Sequence, residues 1–351
     1  MDRDKLDKLR ALYGVAPPGD VHDPKFKKVA DMVFAGTDRR PKPYEGVSTF
    51  LGAPLKLEAA KTPDWAGLDV ALVGVPMDLG VTNRAGARLG PRAVRGVERI
   101  GPYHHVHGVA PLAELKVGDV GDVPFRSRFS LSDSHEDIEA YFARIAAAGV
   151  TPISVGGDHS ISQPILKALG AGRPLGVVHI DAHCDTSGPY EGCKFHHGGP
   201  FRQAVLAGAL DPERTIQIGI RGGAEYLWEF SYASGMTVIH AEEVAKLGVE
   251  RIIEKIAKVA GKGPTYISFD VDGLDPAFAP GTGTPEIGGL STREALALLR
   301  GCAQLEVVGG DIVEVAPQYD ATSNTAQAAA QVMFEILTLV ALTRRRAKPS
   351  G

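Results

Sequence analysis

Residues 175–186, LGVVHIDAHCDT, join two unlike halves. LGVVHI has the apolar run of a strand covered on both faces. Directly on it His179, Asp181, His183 and Asp185 place four potential metal-binding groups within seven positions. A buried strand ending in carboxylate and imidazole sets the reading of the whole chain. In open parallel sheets, sites form just beyond the carboxyl ends of the strands, so this stretch asks for such a sheet and for partners at other strand ends.

Working outward, short apolar runs alternate with amphipathic stretches from Leu68 onward. LDVALVGVP (68–76), VTPISVGG (150–157), TIQIGI (215–220), MTVIH (236–240), PTYISFD (264–270) and LEVVGGDIVEV (305–315) read as further strands. SISQPILKALG (160–170), GVERIIEKIAKVAG (248–261) and STREALALLRGCA (291–303) read as helices, as does SHEDIEAYFARIAAAG (134–149), with Ser134 as N-cap and Gly149 as stop. PRAVRGVERI (91–100) reads as a helix with Pro91 in its first turn, and a last helix covers about 322–344. The expected architecture is α/β: a three-layer α-β-α fold with a mainly parallel sheet. Residues 1–66, with VAPPGD, RRPKP and KTPDW, read as an N-terminal extension wrapped on a neighbouring surface. Residues 67–345 read as one α/β domain, and the basic tail 346–351 is assigned no function.

Four strand ends carry polar bursts. Asp158 and His159 follow TPISV, Asp181 to Asp185 follow LGVVHI, Asp270, Asp272 and Asp275 follow PTYIS, and Glu314 follows VVGGDIV. Strand alternation would send Asp181, His183 and Asp185 to one side and Asp270 with Asp272 likewise. His159 completes six groups. Four carboxylates in one pocket repel unless cations neutralise them, which calls for two divalent ions per chain. An oxygen-rich set with two imidazoles suits manganese and admits nickel, cobalt or zinc. His179 reads as a histidine hydrogen-bonded behind the ligands. His104, His105 and His107 lie apart from the pattern, and Asp275, before Pro276, reads as a turn residue.

GGDHS, DAHCD, SFDVDGLDP and EVAP together resemble the four signature motifs of the ureohydrolase family, the arginases, agmatinases and guanidinobutyrases, in order, spacing and strand context over about residues 68–343. The resemblance implies an arginase-like fold and a binuclear manganese site that hydrolyses a guanidino group to urea and an amine. It implies His159 and Asp185 on one metal, His183 and Asp272 on the other, and Asp181 and Asp270 bridging both. It implies that Glu314 pairs with the substrate guanidinium, that Asp185 takes the proton of the attacking water, and that His197 in HHGGPF shuttles protons. There Gly199 replaces the family's usual threonine and His196 precedes, so the choice of pocket-facing histidine stays open. Trimers or hexamers are implied, a hetero-oligomer with a paralogue being the alternative.

Composition bounds the rest. A net charge of -4 argues against a nucleic-acid partner, and no run of about 18 apolar residues suggests a membrane span. The start, MDRDKLDKLR, lacks a signal peptide's apolar centre. Cys184, Cys193 and Cys302 show no CxxC spacing, which fits a cytoplasmic protein without a thiolate metal site. Loop 186–197, TSGPYEGCKFHH, is expected to wall the pocket, with Tyr190 and Phe195 as bulk against the substrate and Glu191 and Lys194 cancelling; loop 80–95 forms another wall. The expected substrate is a guanidino compound other than arginine, of agmatinase or 4-guanidinobutyrase type. The alternatives are a small guanidine or biguanide hydrolysed with nickel, and a non-catalytic partner subunit.

Overall fold

The computed structural model describes residues 2–14, 21–34, 44–98 and 100–347. VAPPGD (15–20), RRPKP (39–43) and tail residues 348–351 lie outside the described residues, and so does Arg99. The described chain builds one sheet from β1 (Val70–Val75), β2 (Val117–Asp122), β3 (Thr151–Gly156), β4 (Leu175–Ile180), β5 (Leu210–Ile220), β6 (Thr237–His240), β7 (Pro264–Asp270) and β8 (Glu306–Val313). The spatial order is β2-β1-β3-β8-β7-β4-β5-β6, and every ladder is parallel.

Alternation along the strands divides the core in two. On β1, Val70 and Leu72 join one apolar cluster, while Ala71, Val73 and Val75 join the other. Helices Val249–Ala260, Thr292–Gly301 and Asn324–Ala347 cover the first face with Ile252, Leu298 and Met333. Helices Leu131–Ala147, Ser162–Leu169 and Pro200–Leu206 cover the second with Phe142, Ile165 and Phe201. The three-layer α-β-α expectation is met, with a sheet that is wholly parallel.

Four local readings are corrected. β2 escapes a hydrophobicity search because its sequence, VGDVGD, is two-thirds glycine and aspartate; it is the edge strand beside β1, its outer side bridged at Asp119 by Leu55. The N-cap of Leu131–Ala147 is Ser130, whose Oγ accepts from Asp133 N (3.3 Å), whereas Ser134 is buried and donates to Ser130 O (2.8 Å). The helix after Gly90 stops at Arg95, where Gly96 caps it. The last helix is Asn324–Ala347, starting after Ser323 in a left-handed conformation.

Residues of the extension reach into the body of the fold. Phe50, Leu51 and Ala53 enter the first cluster, and Ala59 and Trp65 the second. Phe50 N donates to Asp119 Oδ2 (3.0 Å), and Arg95, bonded to both oxygens of that carboxylate, lies 4.1 Å from the Phe50 ring centre.

Asn324–Ala347 is the one described helix long and apolar enough to cross a membrane, yet most of it is buried against the sheet. Glu335 sits in its middle. There Arg300 Nη2 (2.7 Å) and His104 Nε2 (2.6 Å) hold its carboxylate. His104 thus ties a loop to a core helix, far from a ligand role. Burial pushes Glu335 up, but His104 and Arg300 outweigh it and hold the carboxyl below its ordinary range. Glu335→Ala leaves Arg300 and His104 without their shared carboxylate, and is expected to cost about 3 kcal/mol, measured as a lower urea midpoint at unchanged slope.

Candidate metal centre

The polar strand ends meet because of strand order. β3, β8, β7 and β4 are consecutive neighbours in the middle of the sheet, although the chain reaches β4 before β7 and β8. The crossover from β3 to β4 skips two positions that β8 and β7 later fill, which is the crevice where open α/β sheets place their sites.

One local device ends three of the strands. Asp158 accepts from Ser160 N (2.9 Å), Asp181 from His183 N (2.5 Å) and Asp270 from Asp272 N (2.8 Å). Each aspartate bonds the backbone two residues on and turns the chain over the sheet edge. This corrects the alternation argument. β4 stops at Ile180, and Asp272 lies in the single turn Val271–Gly273. Asp185 has φ of 51°, in the left-handed region. These side chains converge because the chain turns, and no strand face lines them up. Gly157 permits the turn after β3: a Cβ there would sit 1.5 Å from Met77 O.

His159 Nδ1 lies 2.9 Å from Asp185 Oδ2, 3.1 Å from Asp181 Oδ2 and 3.4 Å from Asp270 Oδ2. That nitrogen is buried and takes no hydrogen bond. His183 Nδ1 lies 3.2 Å from Asp272 Oδ2 and 3.5 Å from Asp181 Oδ1, so Asp181 faces both histidines. Ligand atoms that crowd together without bonding one another fit shared cations. Without cations, protons hold the cluster: burial depresses His159, but three carboxylates outweigh it and raise it well above the usual imidazole range. Burial, then the charges of Asp272 and Asp181, pushes Asp270 well up.

His179 stands behind this group. Gln217 Nε2 donates to His179 Nδ1 (3.0 Å) and to Cys184 O (2.6 Å). The network therefore assigns the ring proton to Nε2, which donates to Asp181 Oδ2 (2.7 Å). Both ring nitrogens are engaged, so His179 keeps no lone pair for a metal, although its ring lies close enough to count among the donors. Asp275 closes a turn, accepting from Ala277, Gly288 and Gly289 N–H groups.

Glu314 follows β8 with φ of 63°. Its Oε1 accepts from His159 N (2.9 Å) and meets His197 Nδ1 (2.9 Å), while no described donor bonds Oε2. His197 Nε2 faces Thr82, 3.1 Å from its N and 2.7 Å from its Oγ1, and with the ring protonated it donates to that hydroxyl. Burial lowers His197, but Glu314 dominates and brings it up to about 9. Burial, then Glu314, raises Asp158 to about 6. His196 turns away and bonds Gly188 O (2.8 Å). A Cβ on Gly199 would lie 3.2 Å from Ser187 O and 3.4 Å from the His196 ring, so glycine at this position accompanies the extra histidine.

No described ion pair joins Glu191 and Lys194; Lys194 Nζ instead lies 4.8 Å from the Phe195 ring centre. Tyr190 is half-exposed, bridges Cys193 and has its ring tilted by 55° to that of His196 at 6.1 Å, and no described contact brings it to Glu314. Across the mouth, Asn83 and Arg84 donate to Gly283 O and Arg84 also to Thr282 O. Gln217, Ser268, Thr284, Thr82 and Glu286 were not singled out from sequence. Gln217 and Ser268 were legible as polar residues inside apolar strand runs; Thr284, which donates to Asp272 Oδ2 (3.2 Å), and Glu286, 3.9 Å from His183 Nε2, sit on a loop without such a signal.

Residues 68–338 match the Arginase family. The chain belongs to the arginase family. A guanidinopropionase of Pseudomonas aeruginosa is 48% identical over 87% of this chain and 98% of its own. The solved proclavaminate amidino hydrolase of Streptomyces clavuligerus superposes with a TM-score of 0.81 at 35% identity, covering 86% of this chain and all of that one. A Trypanosoma cruzi formiminoglutamase solved with Mn2+ has a TM-score of 0.70 at 27% identity, covering 83% and 99%. Family members of this fold are metal-dependent, and the donor groups for it are present. Asp181 faces both histidines, so Asp181→Ala is expected to strip divalent metal from the whole cluster, read as metal per chain by mass spectrometry after gel filtration. Wild-type metal content in that variant would remove Asp181 from the centre.

Proposed function

We propose that this chain is a binuclear metal-dependent amidinohydrolase cleaving a guanidino compound to urea and an amine. The observation that carries it is the juxtaposition of a cation-seeking cluster with a half-satisfied carboxylate. His159 Nδ1 and the oxygens of Asp181, Asp185 and Asp270 crowd together, while Glu314 beside them keeps Oε2 without a donor among the described residues. His159 and Asp185 would hold one ion, His183 and Asp272 the other, and Asp181 and Asp270 both. Bound there, the ions supply the positive charge that makes a water nucleophilic near neutral pH. Manganese is the ion this oxygen-rich donor set favours, with nickel the alternative.

The remaining work falls to side chains. A guanidinium presents paired N–H donors in a plane, and a carboxylate whose other oxygen is already fixed receives them in one orientation. The His159 backbone N–H and the His197 ring fix Glu314 Oε1. Glu314 would thereby set the angle at which the central carbon is presented. Asp185, at the opening of the cluster, would take the proton of the attacking water and pass it to the departing nitrogen. His197 would return protons from solvent, its Nε2 being linked to the Thr82 hydroxyl.

For the substrate tail we propose the agmatinase or 4-guanidinobutyrase type. Among these a carboxylate tail has the additional support of Lys194, which has no carboxylate partner among the described residues. The chain would act as a homo-oligomer, a trimer or hexamer, in a reducing compartment such as the cytoplasm, where Cys184, Cys193 and Cys302 stay free.

Two experiments test this reading. Glu314→Gln is expected to keep the wild-type metal content while kcat/KM falls about 10–100-fold, the scale of one charge-assisted contact; unchanged turnover would take the guanidinium away from Glu314. Urea release is then compared across guanidinobutyrate, guanidinopropionate, agmatine, arginine, guanidine and a dimethylbiguanide, with manganese and with nickel. A guanidino acid or agmatine is expected to lead. Arginine in first place would overturn the tail assignment, and silence throughout would point to a non-catalytic partner subunit.

A further inference from the structure

Asp311, on β8, is completely buried. No described cation pairs with it. Three hydroxyls surround its carboxylate instead: Ser162 Oγ (2.7 Å) and Tyr266 OH (2.9 Å) donate to Oδ2, and Ser268 Oγ (2.7 Å) donates to Oδ1. The parallel ladders set this position, with Asp311 opposite Ser268 on β7 and opposite Ser154 on β3. Burying a carboxylate without a counter-charge is costly even when hydroxyls satisfy it, and the proposed reaction leaves this one unused.

Ser268 shows what it serves. A serine hydroxyl has one proton, and here that proton goes to Asp311. Its oxygen then has only lone pairs to offer His159 Nε2, 2.9 Å away. The imidazole must therefore carry its proton on Nε2. Its Nδ1 is left as the nitrogen open to a cation, and that is the buried atom without a hydrogen bond, facing Asp181, Asp185 and Asp270.

We propose that Asp311 is a positioning residue for the metal centre: acting through Ser268, it fixes the His159 tautomer that presents Nδ1 to the cluster and makes that nitrogen a stronger donor. This rests on reading His159 as a metal ligand. Partners behind a ligating histidine are typically worth about 10–100-fold in metal affinity.

The test measures manganese affinity by competition with a chelator, alongside unfolding midpoints. Asp311→Asn and Ser268→Ala are each expected to weaken binding about 10–100-fold. The double variant is expected to bind as Ser268→Ala does, because Asp311 reaches His159 only through that hydroxyl. Tyr266→Phe removes another donor from the same carboxylate; it is expected to lower stability and leave affinity unchanged. Ser268→Thr keeps the hydroxyl and should retain affinity, which keeps the test open if Asp311→Asn does not fold. Wild-type affinity in Asp311→Asn, additive losses in the double variant, equal affinity of Ser268→Ala and Ser268→Thr, or a Tyr266→Phe loss matching that of Asp311→Asn would each overturn the proposal. His159→Ala separates the two levels: full metal content there defeats the ligand assignment itself, whereas loss there with none in Asp311→Asn defeats only the positioning role.

Discussion

Asp181, Asp185 and Asp270 each bring an oxygen to within 3.4 Å of one imidazole nitrogen, in a region from which water is almost excluded. Charges that close are tolerable in a low-dielectric interior only when opposite charge is shared among them. The surrounding architecture can be understood from that requirement. Asp158, Asp181 and Asp270 end their strands in tight turns, because an extended chain would carry successive same-face side chains further along the strand direction instead of back to one centre. Asp185 and Glu314 must accept left-handed backbone, a conformation non-glycine residues adopt at a cost of order 1 kcal/mol. Such local costs persist where the packing around them leaves no alternative, and here the neighbours are core strands buried on both faces.

The parallel sheet supplies that rigidity and also the convergence. β3, β8, β7 and β4 deliver four segments distant in sequence to one edge, and their register is set by side chains in two apolar clusters. His159 and Glu314 are 155 residues apart, yet a backbone N–H of one bonds the side chain of the other at 2.9 Å. Contacts of this kind couple the histidine–carboxylate cluster directly to Glu314. The loop at residues 82–85 is fastened by several hydrogen bonds to the segments across the mouth, from Asn83 and Arg84 to Gly283 O and Thr282 O and from Gln318 and Tyr319 to Ala85 O.

What could be read from sequence follows the same division. Strand bodies announce themselves by apolar runs, and the residues just past them are legible because soluble loops rarely concentrate carboxylate and imidazole at the ends of the most buried segments. The turn geometry was hidden, since DxD and DxH spacing fits an extended strand and an aspartate-capped turn equally well. β2 was hidden because an edge strand of valine, glycine and aspartate has no apolar run. Ser130 and Ser134 both precede a helical pattern, and only the depth of burial separates cap from core. Between His196 and His197 no spacing rule can choose; the choice is made by Glu314 and Thr82, which lie at the two ends of the His197 ring.

Two buried histidines of this region differ in chemistry through the polar groups packed behind them. For His159, a serine that has already donated its proton demands a donor from Nε2 and leaves Nδ1 open to a cation. For His179, an amide from Gln217 occupies Nδ1 and commits Nε2–H to Asp181. One ring is thereby made a donor of lone pairs and the other a donor of a proton, though both are buried and their centres are 5.2 Å apart. Distance and burial alone would rank them equally as ligands. The distinction rests on polar residues one layer deeper, on β5, β7 and β8, where no metal or substrate reaches. A centre organised this way has the Nε2 proton of each ring fixed by its neighbours, so a cation that displaces the proton at His159 Nδ1 need not also switch the tautomer in an interior that resists rearrangement.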